Sequence, residues 1–302
     1  MRMHHDEFEI DHALVRALVD NALPEYRALP LTPMVATGST NLNFRLGDSR
    51  LVRVPRQPGG SRGIRREHRW TPVIAPRLPV AIPGIEYVGD PTADYPEHWS
   101  VIQWLDGRHP ETWETAPGSS ASLAEDLAAL ILAFRTVDLP VGNDAALDNY
   151  RGRTLAEHDP VFRRNIDGCR QIPGLSLDLD RALAVWIDAL SCKTDITQKA
   201  WYHSDIVAEN LLVKDGRLVA LLDLGGVGIG DPVIDLHGAW ELFDAPSRAI
   251  FRAALDVSDE DWARARAWAL AIPMMTFTYY WETMPGRVSS RLAMARAALA
   301  EA

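Results

Sequence analysis

The chain has 302 residues, 47% of them hydrophobic and 24% charged, which is enough apolar material for a core in one large domain or two smaller ones. A formal charge of −10 argues against nucleic acid or anionic membrane as partners, since both select clustered Lys and Arg, and makes cationic ligands the better electrostatic match. Two cysteines, Cys169 and Cys192, are too few for a disulfide framework and lack metal-ligand spacing. The opening MRMHHDEFEIDHALVRALV carries His and acids where a secretory leader has a basic end and an apolar run. No apolar stretch reaches the roughly 18 residues of a membrane span, so the expectation is a soluble, cytoplasmic protein.

In chain order, Ile10, Leu14, Leu18 and Val19 share one helical face and predict an amphipathic helix over 10–22. MVATGSTNLNFRLGDSRLVRVP predicts a strand opening at Met34, a tight loop at Thr37–Asn41, a second strand, a turn at Gly47-Asp48 and a third strand, together an antiparallel meander. RREHRWTPVIAPRL predicts a helix that Pro72 and Pro76 shorten or kink. Extended pieces follow at IEYVGD and HWSVIQWLDG, the second apolar enough for a central strand. Beyond Gly107 the character turns helical: Leu123, Leu127, Leu130, Ile131 and Phe134 keep helical spacing, RALAVWIDALS repeats the signal, and Ser258 to Asp261 has capping-box spacing before WARARAWALA. RLAMARAALAEA closes the chain as a helix.

The helical half is interrupted by WYHSDIVAENLLVKDGRLVALLDLGGVGIGDP, residues 201–232. Its two apolar runs flank the turn signature Lys214-Asp215-Gly216 and predict a hairpin, which would bring Asp205, Asn210 and Asp223 to one end. Phosphoryl transfer needs this set: a carboxylate beside the acceptor hydroxyl, an Asn and an Asp to hold Mg²⁺, and a small-residue turn that admits phosphate. Taken singly, each residue is more simply a turn, a cap or a buried structural His; the ordered set argues for chemistry. Asp-x4-Asn followed by Asp-x-Gly is the spacing of a kinase catalytic loop and metal motif.

His203-Ser204-Asp205, Asn210, Asp223 and the run Gly230-Asp231-Pro232-Val233-Ile234-Asp235-Leu236 resemble the aminoglycoside phosphotransferase family of kinase-like enzymes, which commonly shows His-Gly-Asp, a downstream Asn, a metal Asp and Gly-Asp-Pro-x-x-Asp-Leu. The resemblance implies an α+β, protein-kinase-like two-lobe fold: a β-rich nucleotide-binding lobe over residues 1–105 and a mainly helical lobe over 106–302 with the catalytic loop, metal site and acceptor pocket. It implies that Asp205 orients the acceptor hydroxyl, that Asn210 and Asp223 coordinate Mg²⁺, that His203 is scaffolding, and that Asp235 is an N-cap or an anchor for the loop.

Kinase-like enzymes clamp the nucleotide phosphates with a basic residue on the third strand paired to a Glu on the next helix. Here that residue is Arg53, paired with Glu67; all three lysines, Lys193, Lys199 and Lys214, lie too late in the chain to substitute for it. Arg is longer and planar, so it needs a differently shaped slot than Lys. Ser39 and Thr40 are candidates to meet phosphate from TGSTNLN, a loop that reads equally well as a plain hairpin turn. Gln103 and Leu105 stand where an inter-lobe hinge offers backbone groups to a purine, with no signature separating ATP from GTP.

For the acceptor, Ile272 to Pro285 is rich in Met and aromatic residues, either a pocket wall or, for most of them, helix core. Asp231, Glu241, Asp244 and Glu282 are carboxylates a polyamine would want, or solvated surface. The leading expectation is an ATP- or GTP-dependent O-phosphotransferase acting on a small hydroxylated acceptor, an aminoglycoside or related antibiotic, for which a cationic ligand is the better electrostatic match. A housekeeping metabolite kinase competes within the same fold. An idle kinase-like binding protein is suggested by Arg53 and the poor glycine loop, and a metal-dependent phosphohydrolase would need neither the amino-terminal β lobe nor the Arg53 and Glu67 pair.

Overall fold

Asp11 accepts the Leu14 amide at 2.8 Å and starts helix α1 (His12–Ala22), whose apolar stripe buries Val15, Leu18 and Val19. The computed structural model that gives this geometry describes residues 4–34, 38–112, 121–142, 147–193 and 199–301. Strands β1 (Leu31–Pro33), β2 (Asn41–Leu46), β3 (Arg50–Pro55), β4 (Ile85–Gly89) and β5 (Trp99–Gln103) form one antiparallel sheet in the order β1-β2-β3-β5-β4. The first strand lies just upstream of its predicted start: Met34 adds one further pairing bond, to Asn43 O at 2.9 Å, and residues 35–37, including Thr37 of the predicted loop, lie outside the described residues. As predicted from its composition, β5 is interior to the sheet.

The period of two along β3 positions the first candidate side chain. Val52 and Val54 enter the core formed by Val15, Val19, Phe44, Leu46, Trp99 and Val101, so Arg53 between them points to the other face. Helix α2 (Ser61–Ile74) supplies its partner. Glu97 holds the start of α2 by accepting the Gly59 and Ser61 amides, each at 2.7 Å. The helix passes through Pro72 and ends at Ile74 in a 3₁₀ turn, Ala75–Arg77, so Pro72 does not stop it.

The helical part comprises α3 (Ala121–Arg135), α4 (Leu155–Cys169), α5 (Leu179–Leu190), α6 (Ala239–Leu242), α7 (Ala245–Ala254), α8 (Asp259–Tyr280) and α9 (Pro285–Ala300). Two points differ from expectation. Ser258 caps α8 by accepting the Asp261 amide at 3.0 Å, but the Asp261 carboxylate goes to Arg264 at 2.5 Å, so only half of the predicted box forms. A complete box stands at α4, between Thr154 and Glu157. Helix α8 also continues past Ala271 to Tyr280, through Pro273. The lost hydrogen bond is outweighed by burial of Met274 and Phe277 at 0% exposure, so the first half of the Met- and aromatic-rich stretch is helix core, whereas Tyr279 is exposed and Met275, Tyr280, Trp281 and Met284 are half-buried.

Strand β6 (Ala200–Tyr202) pairs with β9 (Gly228–Gly230), and β7 (Leu211–Lys214) with β8 (Arg217–Leu221). The predicted turn between β7 and β8 has both central residues in the left-handed region, Asp215 at φ 52° and Gly216 at φ 77°. By contacts the chain divides into two compact units, residues 1–76, 81–107 and 220–226 in one, and 77–80, 108–219 and 227–302 in the other. Among the described residues no helix is long and apolar enough to cross a membrane.

Candidate active site

In the second unit the site is built on the loop that leaves β6. Trp201 and Tyr202 are fully buried and His203 is at 0% exposure, so the chain reaches Ser204 with no freedom to shift. Asp235 then fixes the backbone: its buried carboxylate accepts the His203 amide at 2.8 Å and the Ser204 amide at 2.7 Å. Of the two roles expected for Asp235, it is the anchor; the N-cap of the 3₁₀ turn Pro232–Leu236 is Asp231, which accepts the Val233 amide at 3.1 Å. Burial raises the Asp235 pKa, against the opposing pull of His203 and of the two amide donors. His203 Nδ1 accepts the Asp205 amide at 3.2 Å and its ring meets Phe134 edge-on, the scaffolding role expected of it.

The loop delivers Asp205 half-buried, with both carboxylate oxygens engaged. Arg151 donates from Nη1 to Oδ1 at 2.8 Å and to Ser204 O at 2.8 Å. Asn210 donates from Nδ2 to Oδ2 at 3.1 Å and to Asp205 O at 2.9 Å. Partial removal from water favours the neutral acid, but Arg151 and Arg291 outweigh it and hold the Asp205 carboxyl well below the usual carboxylate range. Asp205 is therefore an ionised carboxylate with fixed orientation and weak basicity. Because Asn210 spends its Nδ2 on Asp205, the amide atom left to face a cation is Oδ1.

Arg151 was not legible in the sequence. It lies in the 3₁₀ turn Tyr150–Gly152, and glycines hold that turn in place: a Cβ on Gly152 would stand 2.3 Å from the Tyr202 ring, and one on Gly230 would stand 2.4 Å from Gly152 O. A second unforeseen group joins α9 to the same loop. Arg291 donates to Glu209 Oε1 at 2.7 Å and to Glu241 Oε1 at 2.5 Å, Arg287 takes Glu209 Oε2 at 2.7 Å, and the Ala208 amide donates to Glu241 Oε2 at 3.3 Å. Of the carboxylates considered for an acceptor, Glu241 and Asp231 are thus spent in ion pairs, Asp231 with Arg264, and Asp244 caps α7; Glu282 is exposed.

In the first unit the structure brings Arg53 and Glu67 together. Arg53 Nη2 donates to Glu67 Oε2 and Nε lies 3.4 Å from Ser100 Oγ, with Arg53 at 6% and Glu67 at 1% exposure. Burial disfavours the charge on Arg53, but the Glu67 and Asp223 carboxylates more than offset it, and its pKa is raised. Glu67 Oε1 is buried without a hydrogen-bond partner among the described residues. Asp223 belongs to this unit, exposed, at φ 59°, with Oδ1 accepting the Gly225 amide at 3.2 Å; Arg66 of α2 donates to Gly225 O at 3.3 Å and ties the turn to the helix. The other candidates on the nucleotide side are placed more loosely. Ser39 O accepts from His4 at 2.9 Å and Thr40 O accepts the Arg56 amide at 2.9 Å, which pins their loop through its backbone. Gln103 ends β5 with its amide on Gly84 O at 2.8 Å, and Leu105 is half-buried two residues on.

This architecture recurs in solved structures. The GDP complex of an aminoglycoside 2'-phosphotransferase-IIIa aligns with TM-score 0.70 and 15% identity over 96% of this chain and 99% of that one. The ADP-bound aminoglycoside phosphotransferase APH(2'')-Ib aligns with TM-score 0.62 and 16% identity over 96% and 99%. The macrolide 2'-phosphotransferase MphH of Brachybacterium faecium aligns with TM-score 0.60 and 20% identity over 95% and 99%. No curated protein matches the sequence significantly. The fold is thus the α+β, protein-kinase-like fold of nucleotide-dependent phosphotransferases, with a β-rich amino-terminal part and a mainly helical carboxy-terminal part. The family model of the phosphotransferase enzyme family, APH, matches residues 34–268, and the chain belongs to that family.

Proposed function

We propose that this chain moves the γ-phosphate of ATP or GTP to a hydroxyl of a small-molecule acceptor; the structural relatives are named for hydroxylated acceptors of two kinds, the polycationic aminoglycosides and the macrolides. The observation that carries this reading is the state of Asp205, ionised and held by Arg151 and Asn210 at the end of a rigid loop. Phosphoryl transfer in enzymes of this kind rests on positioning and charge stabilisation more than on strong base catalysis. Asp205 accepts a hydrogen bond from the acceptor hydroxyl and orients its oxygen toward the phosphorus. Its weak basicity means that the hydroxyl proton passes to it late, as the new O–P bond forms and the bond to the leaving diphosphate breaks.

The donor set fits Mg²⁺. Asn210 Oδ1 and the Asp223 carboxylate are hard oxygen donors of the number Mg²⁺ takes from protein when phosphates supply the rest. Bound there, Mg²⁺ would neutralise charge on the nucleotide phosphates. Arg53, kept charged and aimed by Glu67, is the phosphate clamp in place of the usual Lys, and its intact ion pair speaks against an idle binding protein. Ser39 and Thr40 would meet the phosphates, and backbone groups at Gln103 and Leu105 would meet the base.

Calorimetric titration of ATP and GTP, with and without Mg²⁺, tests the nucleotide side. Asp223→Ala should abolish the Mg²⁺-dependent part of the affinity, and Arg53→Met should weaken binding with or without the metal. Equal affinity of wild type in the presence and absence of Mg²⁺ would overturn the metal assignment.

A further inference from the structure

We infer that the acceptor carries at most one positive charge, as a neutral glycoside or a monoamine does, because the carboxylates around Asp205 are already matched by the protein's own arginines. The inference rests on the phosphotransfer reading, in which the reacting hydroxyl comes within hydrogen-bond reach of Asp205. Whatever delivers that hydroxyl must lie against the groups that flank Asp205, and those groups set its tolerable charge.

Among the described residues, the carboxylate oxygens of Asp205, Glu209 and Glu241 all have donors. Asp205 is shared between Arg151 and Asn210. Glu209, one residue before Asn210, gives one oxygen to Arg287 and the other to Arg291, each at 2.7 Å. Glu241 takes Arg291 and the Ala208 amide. A ligand ammonium approaching Glu209 would have to displace a guanidinium, and would sit beside the positive charge it displaced. Three carboxylates, Asp205, Glu209 and Glu241, face three guanidiniums, Arg151, Arg287 and Arg291, so the cluster offers a polycation no net negative charge.

What remains accessible there suits a different ligand. Arg151 and Arg287 keep 21% and 16% of their side chains exposed, and each lies over a tyrosine ring, Tyr150 at 5.8 Å and Tyr280 at 5.7 Å. Guanidinium edges and tyrosine hydroxyls hydrogen-bond to ether and hydroxyl oxygens, and the rings cover apolar sugar faces. The overall charge of −10 does attract cations from a distance. At physiological salt that attraction is screened beyond about 8 Å, so the contacting groups decide which acceptor is held.

Spermine, a tetracation with no hydroxyl, is the probe. Calorimetric titration into the full chain with Mg²⁺ and ADP present, at 150 mM salt, should give wild type no saturable spermine site below millimolar concentration. Arg287→Ala, which frees a Glu209 oxygen, should create measurable binding, and Arg287→Glu should strengthen it at least tenfold over wild type. Adding Glu209→Gln to Arg287→Ala should remove the gain. Saturable micromolar binding by wild type that weakens in Glu209→Gln would overturn the inference, as would failure of both Arg287 variants, shown folded by their melting temperatures, to gain affinity. ADP binding in the same samples separates the two readings: a contrary spermine result with ADP bound sinks only the charge assignment, whereas absence of ADP binding sinks the phosphotransfer reading.

Discussion

Asp235 holds Ser204 by the backbone and not by the side chain, accepting the Ser204 amide at 2.7 Å and the neighbouring His203 amide at 2.8 Å from a fully buried position. Truncation to Asp235→Ala strands two buried donors, each costing roughly 1–3 kcal/mol when unsatisfied. The expected outcome is an unfolding free energy, read from urea denaturation, lowered by that combined amount together with a fall in kcat, because the loop that presents Asp205 loses its anchor. Asp235→Ala with unchanged stability would show that water or a shifted backbone satisfies both amides.

Ser204 pays for this anchoring with a backbone angle of φ 77°, a region that residues other than Gly, Asn and Asp rarely adopt. Gly, with no Cβ, adopts this region without strain. Ser204→Gly should therefore keep stability within about 1 kcal/mol of wild type, while a β-branched residue in Ser204→Val should lose at least about 2 kcal/mol. Chemical denaturation of the pair reads the difference directly; equal stabilities would mean that the loop relaxes out of the left-handed region.

Arg53 and Glu67 are a buried ion pair, so breaking it from one side leaves an uncompensated charge. Arg53→Met should cost about 3–5 kcal/mol, and the double variant Arg53→Met/Glu67→Leu should recover much of that by removing the stranded carboxylate. Nucleotide affinity should stay low in both. Recovery of nucleotide binding along with stability would show that Arg53 is structural and does not clamp phosphate.

His237 gives a pH signature. Burial drives its pKa down to about 4, with Arg151 and Arg291 pushing the same way and the Ile234 carbonyl and Asp205 opposing. In an unfolded chain a His titrates near 6.5, so between pH 6.5 and 4 the unfolded state binds a proton that the folded state does not. Stability therefore rises with pH across that window and is lost as pH falls through it, by at most about 1.4 kcal/mol per pH unit from this one group. Urea denaturation at pH 7.0, 6.0 and 5.0 should show the slope, and His237→Gln should flatten it. An unchanged slope in the variant would assign the acid sensitivity to other groups.

The parts of the site that were readable from sequence are those set by local spacing. Asp205 to Asn210 is a fixed interval within one loop, the Lys214-Asp215-Gly216 turn declares its own geometry, and alternation along β3 puts Arg53 opposite the core valines. Arg151, Arg287 and Arg291 were invisible for the opposite reason. They reach Asp205 and Glu209 across 54, 78 and 82 residues of chain, and nothing near an exposed-looking Arg on a turn or a helix announces such a partner. The continuation of α8 through Pro273 was legible only as one of two readings of Ile272 to Pro285, because local propensity penalises a proline that burial on several sides retains.

The most direct test is acceptor-dependent release of ADP or GDP, measured with Mg²⁺ and ATP or GTP against hydroxylated acceptors graded from neutral glycosides through single-amine macrolides to aminoglycosides, with Asp205→Ala beside wild type. Release should depend on an acceptor in wild type and fall by at least a hundredfold in Asp205→Ala, whose Mg²⁺-nucleotide affinity should stay within about threefold of wild type if Asp205 serves the hydroxyl and not the phosphates, as proposed. Acceptor-dependent release that persists in Asp205→Ala, or equal loss of turnover and nucleotide binding in that variant, would contradict that role.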